Sequence, residues 1–217
     1  VTTILLTGFE PFAGDATNPS GDAVRLVAER WSGPGTLVAE VLPVVFAEAS
    51  ARLAALIRAH SPDVVLAVGL AGGRRGLTPE RVAINLADAR IPDNAGQQPL
   101  DRPIVEGAPA AYFTTLPVKA MTAAIAAAGI PASLSHSAGT FVCNQVMFTA
   151  LHQTADADGI RAGFLHVPYA AENAPDRVDS LPLGDIVRGL EVALRIAVDA
   201  PTDAALPGGT LPGGTLH

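Results

Sequence analysis

The chain has 217 residues, 49% of them apolar and 16% charged, enough to bury one substantial core, and a formal charge of −7. A pI near 5.1 and the absence of any basic stripe argue against a nucleic-acid partner, and no apolar run approaches the ~20 residues that a membrane helix needs. One cysteine excludes an internal disulfide and a Cys-based zinc site, and the five histidines show neither HExxH nor HxH spacing.

Residues 3–7 (TILLT) are a short apolar run ended by Gly8 and read as a central strand. A loop rich in Gly, Pro and Asn follows to residue 19. Ser20 is placed to cap a helix reaching about Trp31, with Val24, Leu26, Val27 and Trp31 on its apolar face. Residues 37–45 are β-rich. Residues 47–60 are amphipathic at helical spacing, with Leu53, Leu56 and Ile57 inward, and stop before Ser61-Pro62. VVLAVG (64–69) has the character of a fully buried strand. After the Gly-rich stretch GLAGGRRG, a strand is predicted over 81–86. The chain from 88 to 109 is irregular and rich in Pro, Gly and Asp; a loop of that length in a compact domain is usually functional or disordered. A short strand at 112–115 comes next. A helix then runs from Pro117 to Ala128, stopped by Gly129. The series closes with a strand at 132–135, a helix at 141–154, a strand at 162–167 and an amphipathic helix at 183–198. This alternation predicts one α/β domain over residues 1–200, a sheet with helices on both faces. Residues 201–217 carry LPGGT twice and read as a low-complexity, mobile tail.

The lone Cys143 lies in SAGTFVCNQVMF, which reads as a strand entering a helix through a turn at Gly139 and Thr140. In the first helical turn, unpaired N–H groups and the helix dipole favour the thiolate and offer donors to a developing oxyanion. A thiol needs that activation, or a base, to attack a carbonyl. The alternative is a small buried residue packing helix on sheet. His166, in GFLHVPY at a strand end, is the candidate base, or else a core histidine satisfied by a carbonyl. A third group that fixes the imidazole completes such a site. Glu80 is the leading candidate, though the residues alone do not choose it over Glu10, Asp88 or Asp93. Phe9 and Phe12, in TGFEPFAG, either line a pocket or lock their loop to the core. GLAGGRRG fits neither GxGxxG nor a Walker loop.

Taken together and in order, TGFEPFAG…NPS (7–20), VGLAGGR (68–74), TPERVAIN (78–85), DARIPDN (88–94), TLPVKA (115–120), SAGTFVCNQVMF (137–148) and GFLHVPY (163–169) resemble the pyroglutamyl peptidase I family. The resemblance implies a three-layer α/β/α sandwich with a mostly parallel, mixed sheet. It implies a cysteine peptidase, often a homotetramer, that removes N-terminal pyroglutamyl residues from peptides without metal or organic cofactor. It also implies a triad of Cys143 as nucleophile, His166 as base then acid, and Glu80 as orienting carboxylate. Arg90 becomes a candidate oxyanion donor beside the Cys143 N–H. Pyroglutamate is a neutral lactam, so its pocket should be apolar with few polar contacts. Phe9, Phe12, Phe141 and Val142 can supply walls; Asn18 and backbone around Leu70 can supply hydrogen bonds. A reducing compartment suits the single thiol, and no basic segment followed by an apolar one opens the sequence, so a cytoplasmic location is expected.

The chain departs from the family pattern at three places. Leu70 stands where glutamine is usual, Gln145 and Phe148 where His and Tyr are frequent, and Glu172-Asn173 where glutamine often ends the motif. Two competing readings are a nucleoside phosphorylase-like transferase, in which Cys143 has no role, and an inactive binder that keeps the pocket.

Overall fold

Three apolar runs, β1 (Thr3–Phe9), β3 (Val64–Leu70) and β7 (Arg161–Val167), are buried along almost their whole length and form the middle of a five-stranded sheet. The computed structural model describes residues 1–200 and 202–206; the LPGGT repeats expected as a tail lie outside them. β2 (Thr36–Leu42) forms one edge and β4 (Thr78–Glu80) the other, in the order β2-β1-β3-β7-β4, and only β4 runs antiparallel. α1 (Pro19–Arg30), α3 (Val118–Ala127) and α5 (Leu183–Asp199) pack on one face through Val24, Val27, Met121, Ile125 and Leu190. α2 (Phe46–His60) and α4 (Val142–Thr154) cover the other through Leu53, Leu56, Val146 and Phe148. The result is the three-layer α/β/α sandwich with a mostly parallel, mixed sheet. Two small ribbons complete it: β5 (Val82–Ile84) with β6 (Ala111–Phe113), and β8 (Tyr169–Ala170) with β9 (Ser180–Leu181).

Several expectations needed correction. The first helix is capped by Asn18, not Ser20; Asn18 Oδ1 accepts from Ser20 N at 3.1 Å and Ser20 Oγ at 2.8 Å. The predicted strand over 81–86 is shortened to 82–84 and separated at Arg81 from β4, because the chain leaves β7 after Glu80 and β5 pairs with β6 instead. The predicted strand at 132–135 is reduced to isolated bridges, Leu77 with Ala132 and Glu80 with Ser135. Leu77 N, Ser133 N, Ser135 N and Arg81 N all donate between the two segments. The missing rung is the one Pro79 would donate to Ser133, and proline has no N–H. SAGTFVCNQVMF therefore enters its helix from a loop.

The irregular stretch from 88 to 109 is tied down by side chains. Asp93, 6% exposed, accepts from Phe46 N at 2.9 Å, Ala95 N at 2.9 Å and Gln97 N at 2.8 Å. It thereby caps α2, whose own N-cap, Val45, has no side-chain oxygen to offer. Asn85 accepts from Ile104 N and Val105 N and donates to Val105 O.

Chain order fixes where a ligand can sit. β1 connects through α1 to β2 on one side, then β2 crosses through α2 to β3 on the other. The crevice outside the carboxyl ends of β1 and β3 is thus the topological switch point, where open α/β sheets bind ligands.

Candidate active site

A cavity of about 370 Å³ opens at this switch point. Phe9 ends β1, Leu70 ends β3, and Val142 and Cys143 start α4; all four line it. Phe12, Asn18, Arg90 and Phe141 complete the set anticipated from sequence, while Val44, Ile91, Asp15 and Tyr169 line it without having been anticipated. The Phe141 ring contacts Phe12 at 5.2 Å, tilted, and Phe46 at 5.1 Å, edge to face, so the aromatic wall is mutually braced.

Behind the cavity lies a buried polar pair. His166, 4% exposed, places Nδ1 2.7 Å from Oε1 of Glu80, which is fully buried. With the carboxylate accepting, Nδ1 carries the proton and Nε2 is left as the basic nitrogen. The antiparallel pairing of β4 with β7 sets Thr78 opposite His166 and Glu80 opposite Phe164, and so brings the carboxylate to the imidazole. The competing carboxylates are engaged elsewhere: Asp93 at α2, Asp88 on Asp101 N, and Glu10 on Asn94.

Cys143 is half-buried at the second helical position, and no side chain caps α4, whose first N–H groups are therefore unspent. Its sulfur rests against Gly69, where a Cβ would come within 2.7 Å of Sγ and 2.8 Å of Phe164 Cζ. Gly69 is the register partner of His166 across β3 and β7, so thiol and imidazole meet the same point of the sheet. Glycine at 69 is the space the sulfur occupies.

The family-wide sequence profile described as pyroglutamyl peptidase matches residues 2–200. The chain belongs to the pyroglutamyl peptidase family. It is 47% identical over 211 residues to a pyrrolidone-carboxylate peptidase of Clavibacter michiganensis, spanning 96% of this chain and 99% of that one. The crystal structure of Bacillus amyloliquefaciens pyroglutamyl peptidase I superposes with a TM-score of 0.90 at 43% identity, over 94% of this chain and all of that one. The pyrrolidone carboxyl peptidase of Thermococcus litoralis gives a TM-score of 0.91 at 37% identity, over 95% of this chain and all of that one.

The pull of the helix start toward thiolate is present but outweighed: Cys143 is pushed up from 9.0 to about 12. Burial is the largest cause and the Glu80 carboxylate adds to it; the Cys143 backbone N–H works in the opposite direction. A rise of that size is about 4 kcal/mol against the thiolate, while a helix N-terminus supplies about 1 kcal/mol. The Cys143 thiol therefore rests neutral at neutral pH.

Other residues brace the site that sequence reasoning missed. Arg74, in the Gly-rich loop, places Nη2 3.3 Å from the same Glu80 oxygen and 3.2 Å from Ser135 Oγ. Glu80 Oε2 has no hydrogen-bond partner among the described residues. Asn144, fully buried, accepts from Ile84 N and donates to Ile84 O and Leu86 O, locking the first turn of α4 to β5. Thr140 Oγ1 donates to Asp88 O at 2.7 Å and Asp88 N to Thr140 O at 3.0 Å, which holds the segment bearing Arg90 beside the start of α4. The only signal for these in the sequence was polar residues inside motifs already singled out.

Two sequence expectations shift in emphasis. Asn18 lines the cavity, but Oδ1 is taken twice by Ser20 and Nδ2 donates to Glu10 O at 2.9 Å. The departures from the family pattern at 145, 148 and 172 lie away from the His166–Glu80 pair: Gln145 donates to Phe46 O, Phe148 packs on Tyr112, and Glu172 accepts from Leu183 N. Leu70 lines the cavity itself.

Proposed function

We propose that this protein is a cysteine exopeptidase that removes N-terminal pyroglutamyl residues from peptides through a thioester. The observation that carries the chemistry is the buried His166–Glu80 pair at 2.7 Å, behind an apolar-walled cavity into which α4 delivers the one thiol. The substrate assignment rests on family membership and on walls of Phe9, Phe12, Phe141 and Val142 that suit an uncharged lactam.

In this reading the pyroglutamyl ring fills the cavity and the exocyclic carbonyl carbon of the scissile amide lies over Cys143. The thiol passes its proton to His166 Nε2 as sulfur bonds to that carbon, consistent with a neutral resting thiol. The oxyanion is held by the Cys143 N–H at the head of α4, with Arg90 at the cavity wall as the second donor. Glu80 keeps the imidazole in the required tautomer and compensates the imidazolium. The C–N bond then breaks as His166 returns the proton to the leaving amine. Water, deprotonated by His166, attacks the thioester, the C–S bond breaks, and pyroglutamate leaves with the thiol restored. Every step uses protein groups and water.

A thiol nucleophile must stay reduced, which supports a cytoplasmic setting. No helix among the described residues is long and apolar enough to cross a membrane. A homo-oligomer, a tetramer, is proposed by resemblance to the family. Light scattering on the purified protein tests that part.

The activity is tested by release of a chromophoric amine from a pyroglutamyl amide beside the prolyl and alanyl amides. Turnover of the pyroglutamyl amide alone supports the reading; equal turnover of all three, or of none in reducing buffer, overturns it.

A further inference from the structure

The ring cavity has a neighbour. A smaller cavity of about 190 Å³ is lined by Asp15, Ala16, Thr17, Tyr169 and Asn173, and it shares Asp15, Thr17 and Tyr169 with the ring cavity. The shared wall is an ordered contact: Tyr169 Oη donates to Asp15 Oδ2 at 3.1 Å. That bond ties the loop after β1 to the strand that follows β7. It engages Oδ2 and leaves Asp15 Oδ1 without a hydrogen bond among the described residues. Burial, then the charge of Asp15, raises the Tyr169 hydroxyl, so it stays an O–H donor.

The direction of the chain beyond the scissile bond follows from chemistry. His166 must reach the leaving nitrogen, so the leaving side of the substrate lies toward the end of β7. Tyr169 is three residues further along the same chain, directly after Val167 and Pro168. Tyr169 lines both cavities, so the small cavity adjoins the ring cavity on the side of the chain that follows β7. The lining of that cavity carries one carboxylate and no cationic side chain.

We infer that this cavity, resting on the pyroglutamyl-peptidase reading above, is the subsite for the residue that follows pyroglutamate, and that Asp15 makes it favour a cationic side chain there over an anionic one. The ring cavity selects the first residue and the small cavity grades the second. A single charge at a solvent-facing wall changes such a ratio by about fivefold to tenfold.

The test is kcat/KM for peptides pyroglutamyl-Lys-Ala, pyroglutamyl-Ala-Ala and pyroglutamyl-Glu-Ala, followed by pyroglutamate release, with wild type, Asp15→Asn and Tyr169→Phe. The expected order is Lys above Ala above Glu, with a Lys-to-Glu ratio of about fivefold to tenfold that shrinks toward one in Asp15→Asn. Tyr169→Phe, which frees Asp15 from its anchor, should lower the ratio partway. Because the readout is a ratio, a general loss of rate in a variant does not obscure it. If Asp15→Asn does not fold, the wild-type ratio in 0.05 M and 0.5 M NaCl replaces it, and the ratio should fall at the higher salt. A wild-type ratio near one, or a ratio unchanged in Asp15→Asn or by salt, overturns the subsite while leaving the peptidase intact. No turnover of any of the three peptides overturns the underlying reading instead.

Discussion

Replacing Gly69 by alanine adds one methyl group at the place where the thiol meets the sheet. The new Cβ would lie 2.7 Å from Cys143 Sγ and 2.8 Å from Phe164 Cζ. Comfortable non-bonded contact begins at roughly 3.5 Å, so the sulfur or the strand must give by roughly 0.8 Å. Gly69 is not among the residues with positive φ, so alanine brings no backbone strain and the effect is the contact alone. A misplacement of about 1 Å at a reacting atom costs on the order of 10²-fold, about 2.7 kcal/mol of barrier. Overpacking adds about 1–3 kcal/mol of destabilisation. The assay is kcat on a pyroglutamyl amide with the melting temperature measured in parallel. Gly184→Ala, whose Cβ meets nothing within 4 Å, serves as the control that should keep full activity. A folded Gly69→Ala enzyme with kcat within threefold of wild type would refute the placement of the sulfur against β3.

Three further outcomes follow from the same geometry. Because burial pushes the folded thiol up from 9.0 to about 12, it contributes stability that is whole below pH 9 and is lost as pH rises from 9 toward 12; wild type should lose on the order of 1 kcal/mol relative to Cys143→Ala by pH 10, and parallel urea midpoints at pH 8 and 10 would contradict this. Arg74→Met removes the cation 3.3 Å from Glu80 Oε1, leaves the carboxylate less compensated, and should move the kcat/KM profile toward higher pH, with Arg74→Lys intermediate; an unmoved profile would make Arg74 a packing residue only. Asn144→Ala breaks hydrogen bonds to Ile84 N, Ile84 O and Leu86 O and should cost about 3 kcal/mol in chemical denaturation, whereas a loss under 0.5 kcal/mol would show that β5 does not need it.

What the sequence revealed depended on the range of the interaction. Apolar runs such as VVLAVG carry their burial in their own composition, so β1, β3 and β7 were legible from the residues alone, as were the amphipathic helices. Cys143 announced itself as the one thiol, at a helix start. Glu80 did not stand apart from Glu10, Asp88 or Asp93, because its partner is 86 residues away and only strand pairing unites them. Arg74 and Asn144 act through contacts of the same kind. The break at Arg81 and the incomplete pairing of 132–135 turn on which strand accepts a neighbour and on one proline N–H, neither of which leaves a periodic trace. The helix terminus that favours thiolate is visible in sequence, whereas the burial that outweighs it is not.

The central claim is that Cys143 attacks the pyroglutamyl carbonyl. The most direct measurement is acid quenching of the enzyme during turnover of a pyroglutamyl ester, followed by mass analysis of its peptides. The account predicts one pyroglutamyl acyl group on the peptide containing Cys143, sensitive to hydroxylamine, and neither adduct nor turnover in Cys143→Ala. Turnover retained by Cys143→Ala, or an acyl group carried on another residue, would contradict it.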